Sequence, residues 1–192
     1  VERFVQYHES GLRVLVAPTV VPEHRLDAEH VSALVEALKV GTDFLILDIP
    51  PMLDDAGRKA LEASDVILLI SEPEVLSATC ARMQLQTLKA WGIDSRVSVV
   101  STARIPSGTS MTRLELENEV SMGRLERERG AGDESILSLS VISMIPPEPE
   151  AFQESVQQGV PLVRLEPSAR SSRAMAELAE KLATSLTIAG AP

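Results

Sequence analysis

A carboxylate at the end of a stiff apolar segment is more often placed for chemistry than for stability. Asp48 ends the run Phe44-Leu-Ile-Leu-Asp48 and is followed by Ile49, Pro50 and Pro51. The run has no polar alternation, which predicts a strand buried on both faces of a parallel sheet. The two prolines have no N–H to give a ladder, so they end it. Asp48 would then stand at the carboxyl edge of an open α/β sheet, where ligands bind. The plainer reading is a cap on the following turn. Other polar residues follow apolar runs in the same way: Ser101-Thr-Ala-Arg104, Glu72-Pro-Glu74 and Pro146-Pro-Glu-Pro-Glu150. Glu72 and Glu74 read as acidic residues favoured by a helix dipole. The Pro146 segment is either a ligand-side loop or punctuation before a helix.

These residues need elements to position them. Gly11 to Ala17 predicts a short strand ended by Pro18. Asp27 then caps a helix with Val31, Leu34, Val35 and Leu38 on one face, and Gly41 stops it. After the Phe44–Asp48 strand, Asp54 or Asp55 caps a short helix through Leu61, and Asp65 to Ser71 is the third strand. Ser77 or Thr79 opens a helix whose Ala81, Leu85, Leu88 and Trp91 share a stripe, with Gly92 closing it. Arg96–Ser101 and Leu137–Ile145 are the fourth and fifth strands. A helix over 150–158, an extended Pro161–Glu166 and a helix over 169–186 complete the chain. This alternation predicts a mostly parallel, doubly wound α/β sheet with helices on both faces, in a single domain over 1–192. Residues 105–135 interrupt it as a charged insertion, read as a solvated helix with mobile ends.

Composition narrows the classes. With 192 residues, 44% apolar and only 3% aromatic, the chain can build one sizeable aliphatic core. Cys80 is the one cysteine, and the three histidines lack paired metal-ligand spacing. Neither disulfide nor zinc is indicated, which favours a cytoplasmic setting. The net charge of −10 argues against a nucleic-acid surface. Cys80 reads as a small core residue.

The succession Gly11-Leu-Arg-Val-Leu-Val-Ala-Pro18, Asp43-Phe-Leu-Ile-Leu-Asp-Ile-Pro-Pro51, Ser64-Asp-Val-Ile-Leu-Leu-Ile-Ser-Glu-Pro73, Ile145-Pro-Pro-Glu-Pro-Glu150 and Gly159-Val-Pro-Leu-Val163 resembles the MinD/ParA family of P-loop ATPases. Its flavour is that of the CpaE/TadZ branch associated with pilus assembly and localisation. The resemblance implies a P-loop NTPase fold of the SIMIBI class, ATP and Mg²⁺ as cofactors, a homodimer with nucleotide between subunits, and a protein partner in a pilus or secretion system. Asp48 would match the Walker B carboxylate that holds Mg²⁺ through water, and Pro50, Pro51 and Met52 the loop that reports on the γ-phosphate. Ser101, Thr102 and Arg104, with Pro146, Pro147 and Glu148, would lie beside the adenine.

Three departures bear on that inheritance. No Gly-Lys-Ser or Gly-Lys-Thr occurs in the sequence, so no phosphate cradle is present. Met52 stands where many relatives have glycine, and Ser101 where they often place an adenine-reading asparagine. The chain opens on Val1, and the expectation is a carboxyl-terminal two thirds whose amino-terminal P-loop part is truncated. ATP hydrolysis is then expected of the complete parent protein and not of this chain alone. The alternative is a nucleotide-independent scaffold on a degenerate fold. The last helix has few basic residues, so no direct membrane binding is expected.

Overall fold

The computed structural model describes residues 2–16, 26–128 and 139–188. The end of the strand expected at 11–17, the start of that expected at 137–145, and residues 129–135 of the insertion lie outside them. The chain divides into two compact units, Val1–Ser64 and Asp65–Pro192.

In the first unit the expected strand is shorter and has an antiparallel partner that the apolar pattern did not reveal. Strands β1 (Val5–Tyr7) and β2 (Arg13–Leu15) pair Val5 with Leu15 and Tyr7 with Arg13. Gly11, at φ +88°, supplies the left-handed turn between them. Helix α1 (Ala28–Lys39) is capped by Asp27, which accepts from the His30 amide at 2.9 Å. Its Val35 is buried and Val31, Leu34 and Leu38 are half-buried on the same side, as the 3.6-residue period predicts. Gly41 follows at φ +68°. The Arg13 guanidinium donates to the Gly41 carbonyl at 2.7 Å, fastening the hairpin to this turn. Helix α2 (Asp55–Glu62) is capped by Asp54, which accepts from the Gly57 amide at 2.8 Å, and packs on α1 with Ala60 and Leu61 buried.

The run Phe44–Asp48 corrects the expectation. It belongs to neither sheet, and Phe44, Ile46 and Asp48 are exposed while Leu45 and Leu47 are half-buried. The segment is therefore one-sided, with Ile46 86% exposed. A strand is defined by its ladder, and no described segment pairs with this one.

In the second unit, β3 (Ile67–Ser71), β4 (Val97–Thr102) and β5 (Val141–Ile145) form a parallel sheet in the order β3-β4-β5. Val99, Val100 and Val141 are almost wholly buried, each contributing about 1.5–3 kcal/mol relative to exposure. Helix α3 (Val75–Ala90) packs on β3 through Ala78, Ala81, Leu85 and Leu88, and Gly92 follows it at φ +73°. It starts earlier than Ser77 or Thr79, because the Ser77 hydroxyl serves the strand end. That oxygen accepts from the Glu72 amide at 2.9 Å and lies 3.2 Å from Ser71 Oγ.

Helix α4 (Arg113–Glu128) lies in the expected insertion, and one of its edges is core. Leu116 and Val120 are buried, and the helix packs against α3 and β5. Thr112 and Glu115 form a capping box, the Thr112 amide donating to Glu115 Oε2 at 2.8 Å. Those bonds, from the amide and hydroxyl of Thr112, hold the Glu115 carboxyl below its ordinary range. Arg82 and Glu119 bridge α3 and α4 at 2.7 Å, and the Val141 amide donates to Glu117 Oε1 at 2.8 Å. Helix α5 (Pro149–Gln158) ends at Gly159, φ +65°. Helix α6 (Leu162–Leu165) replaces the expected extended segment, Arg164 and Leu165 both donating to the Pro161 carbonyl. Helix α7 (Arg170–Ile188) lays Met175, Leu178, Leu182 and Leu186, all half-buried, along the side that packs on β5.

Candidate functional site

Parallel register brings the ends of β3, β4 and β5 together at one edge. Ser71 stands beside Ser101, Ser101 beside Met144 and Thr102 beside Ile145. The Ala103 amide donates to the Ile145 carbonyl at 3.3 Å, carrying the pairing one residue further. Ser71 and Ser101 are buried, and small hydroxyl side chains there let the chain turn out of the sheet without a bulky group in the way. Beyond them sit Glu72 after β3, Arg104 after β4, and Pro146, Pro147 and Glu148 after β5.

The second unit thus gathers Ser101, Thr102, Arg104, Pro146, Pro147 and Glu148 at its carboxyl edge, Ser101 and Thr102 as the last residues of β4 and the others just beyond β4 and β5. Two of these side chains already have protein partners. Arg104 Nε donates to Glu72 Oε1 at 2.6 Å, joining the ends of β3 and β4. Arg104 is 84% exposed, so this pair contributes at most about 1 kcal/mol. Glu148 spans a longer distance in sequence. Its Oε2 accepts from the Ser171 amide at 2.7 Å and from the Ser171 hydroxyl, and its Oε1 from the Arg170 amide at 3.3 Å. Those Ser171 bonds outweigh the cost of burial and hold the Glu148 carboxyl below the usual glutamate range. Glu148 therefore caps the first turn of α7 from another loop.

In the first unit, Asp48 is exposed at the end of its extended run, and Pro50, Pro51 and Met52 follow it on the way to α2. Met52 is 86% exposed. The helix that follows is capped by Asp54, so Asp48 is not its cap. As a hard oxygen donor open to solvent, Asp48 fits a water-mediated contact with Mg²⁺. The described residues contain no group of three or more His, Cys, Asp or Glu side chains that could hold a metal directly. The sequence has no Gly-Lys-Ser or Gly-Lys-Thr to supply a phosphate cradle.

A shallow groove of about 540 Å³ lies elsewhere in the second unit, lined by Val75, Thr109, Met111, Glu115 and Glu119 among others. None of the residues singled out from the sequence lines it. The Met111 amide donates to the Pro73 carbonyl at 2.8 Å and shapes one wall.

Solved structures show which fold the chain shares. A ParA family ATPase from Chlorobium tepidum TLS superposes with a TM-score of 0.73 at 20% identity, over 90% of this chain and 64% of that one. The MinD cell division protein of Aquifex aeolicus gives 0.71 at 21% identity, over 94% and 69%. The chain has the MinD/ParA fold. The same Aquifex MinD in its complex with MinC gives a TM-score of 0.70, over 94% of this chain and 67% of that one, again at 21% identity. At such identities the likeness is one of fold, and the MinD/ParA architecture accounts for the parallel sheet and its flanking helices. In sequence, the chain is 31% identical over 85 residues to two uncharacterised proteins of Mycobacterium tuberculosis, MT3760 and Rv3660c. That match covers 44% of this chain and 24% of each relative, so the chain meets about a quarter of their length. No family model matches the chain.

Proposed function

We propose that this chain is part of an ATP-dependent MinD/ParA-like ATPase of the CpaE/TadZ type. Its output would be the positioning or assembly of a machine such as a pilus or secretion system, through nucleotide-controlled homodimerisation and binding of a protein partner. The observation that carries this reading is the likeness to ParA and MinD structures over nine tenths of the chain. The MinC:MinD complex among the neighbours supports a protein as the partner. In this reading Asp48 holds a water on Mg²⁺, Pro50 to Met52 sense the γ-phosphate, and Ser101, Thr102, Arg104, Pro146 and Pro147 flank the adenine. Glu148 braces the adenine-side loop against α7. The phosphate-binding loop comes from a segment outside these 192 residues, whose strand would pair with Phe44–Asp48 and cover the exposed Phe44 and Ile46.

Two measurements test it. Isothermal titration of the 192-residue chain with Mg·ATP should show weak or no binding, and tight stoichiometric binding would refute the assignment of the cradle to another segment. In a protein carrying the phosphate-binding loop, Asp48→Ala should remove most Mg²⁺-dependent hydrolysis with circular dichroism unchanged. Unaltered turnover would reduce Asp48 to a turn residue and favour a nucleotide-independent scaffold.

A further inference from the structure

The sheet of the second unit ends differently on its two sides, with β5 the last described strand on one and β3 on the other. The Val99 amide donates to the Ser140 carbonyl at 3.1 Å, so by strand alternation the backbone groups of Val141 face away from β4. Side chains of α4 take both of them. The Val141 amide donates to Glu117 Oε1 at 2.8 Å, and its carbonyl accepts from the Arg113 guanidinium. Arg113 and Glu117 are four residues apart and so share one side of the helix. One residue further, the register passes from Val141 to Ser143, a bulge that leaves Ile142 without a partner on β4. The Ile142 carbonyl accepts from Lys181 Nζ of α7 at 3.0 Å. On the other side of the sheet, no side chain among the described residues bonds to the main chain of β3.

Val141 is 1% exposed, and buried backbone groups need partners. The partners here are those that a neighbouring strand would supply, an acceptor for the amide and a donor for the carbonyl of the same residue. The place of a further strand is thus taken, and the bulge and the lysine interrupt the ladder just beyond it. Bulges and charged side chains, lysine above all, are the means by which sheet edges are kept from pairing. Every copy of the chain carries the same edge, and two identical edges pair antiparallel about a two-fold axis. We propose that Arg113, Glu117 and Lys181 form a guard on the outer edge of β5 that blocks strand pairing with the β5 of a second copy of this chain. Releasing the guard lets the first turns of α4 lift and opens the edge. The guard does not depend on the ATPase reading.

The variant Arg113→Ala with Glu117→Ala removes the guard on Val141 while keeping strong helix formers in α4. In dilute protein followed by NMR in deuterated water, its Val141 amide should exchange about tenfold faster than in the parent chain. In sedimentation velocity its mass should rise with concentration beyond that of the parent, and Val141 exchange should slow again as it does. Arg113→Lys with Glu117→Gln, which keeps a donor and an acceptor, should behave as the parent. Arg82→Ala, which frees α4 from α3 and leaves the edge bonds alone, should not associate beyond the parent. Should the double alanine variant fail to fold, Glu117→Ala alone carries the same measurements. The proposal is overturned by an alanine variant no more associated than the parent, by association that leaves Val141 exchange fast, by Arg82→Ala associating equally, or by a lysine and glutamine variant that behaves like the alanine one.

Discussion

Replacing Leu116 with alanine tests whether α4 is part of the core or a decoration on it. Leu116 is fully buried, its neighbour one turn on, Val120, is 1% exposed, and the helix packs on both α3 and β5. Removing a buried leucine side chain costs the transfer of its methylenes and leaves a cavity, about 2–5 kcal/mol in all. The site sits toward the upper end because the surroundings are fastened. Arg82–Glu119 holds α4 to α3, and the Val141 amide bonded to Glu117 holds it to β5, so neither neighbour collapses easily into the gap. A loss of about 3–5 kcal/mol corresponds to a fall of roughly 6–20 °C in Tm for a chain of this size. Urea denaturation followed by far-UV circular dichroism reads it as a lower midpoint at unchanged slope. Leu114→Ala is the control, since Leu114 is 66% exposed and its loss should stay within about 0.5 kcal/mol. If the two variants behave alike, or Leu116→Ala costs under about 1 kcal/mol, the helix is a solvated appendage and the packing described above is wrong.

Three further outcomes follow from the structure. The Glu148 carboxyl is held below its unfolded value, so its contribution is present above the usual glutamate pKa of about 4.3 and fades as pH falls through the lower folded value. Glu148→Gln should therefore lower the urea midpoint at pH 7 and match the parent in strong acid, and a difference that persists there would contradict the capping role. Arg104→Ala should change stability by less than about 1 kcal/mol, because the Glu72 pair is solvent-screened; urea unfolding that shows a larger loss would mean a buried role for Arg104. The chain should not sediment with anionic liposomes at physiological salt, because the apolar stripe of α7 faces β5 and Lys181 donates to the Ile142 carbonyl at 3.0 Å. Sedimentation abolished by deleting residues after Leu178, with the fold retained, would overturn that. No helix among the described residues is long and apolar enough to cross a membrane.

Elements whose signals are local were legible. Asp27 and Asp54 sit next to the helices they cap, and Gly41, Gly92 and Gly159 adopt the positive φ that closes α1, α3 and α5. The three parallel strands were readable because each is a short run dominated by Val, Ile and Leu or Met that ends at polar or proline residues. The start of α3 was misplaced for a physical reason. Ser77 looks like a cap in sequence, but its hydroxyl is spent on the end of β3, an interaction between elements that spacing does not reveal. The charge of α4 concealed a narrow apolar edge of Leu116 and Val120, although Thr112-Arg-Leu-Glu115 carried a capping-box signal that marks its start. Glu148 was beyond local reading altogether, because the helix it caps begins 22 residues later at Arg170.

The candidate site divides along the same line. Ser101, Thr102, Arg104, Pro146 and Pro147 reach one edge because parallel register dictates where three consecutive strands end, and register follows from the apolar runs themselves. Asp48 obeys no such rule. The apolar run before it specifies an extended backbone, yet whether that backbone is a central strand depends on a partner ladder that its own residues do not encode. The exposed Phe44 and Ile46 are the physical record of this dependence, since side chains of that kind are stable in water only at the cost of unburied apolar surface. A ladder added along Phe44–Asp48 would bury them and fix Asp48 at a sheet edge in one step. If Asp48 holds a water on Mg²⁺ as proposed, packing and metal chemistry at this position are coupled, and Ile46→Ser should weaken Mg²⁺-dependent turnover through the placement of Asp48. That effect, read in a protein carrying the phosphate-binding loop, should appear as a raised Mg²⁺ requirement, and a variant with the parent's Mg²⁺ dependence would separate the two.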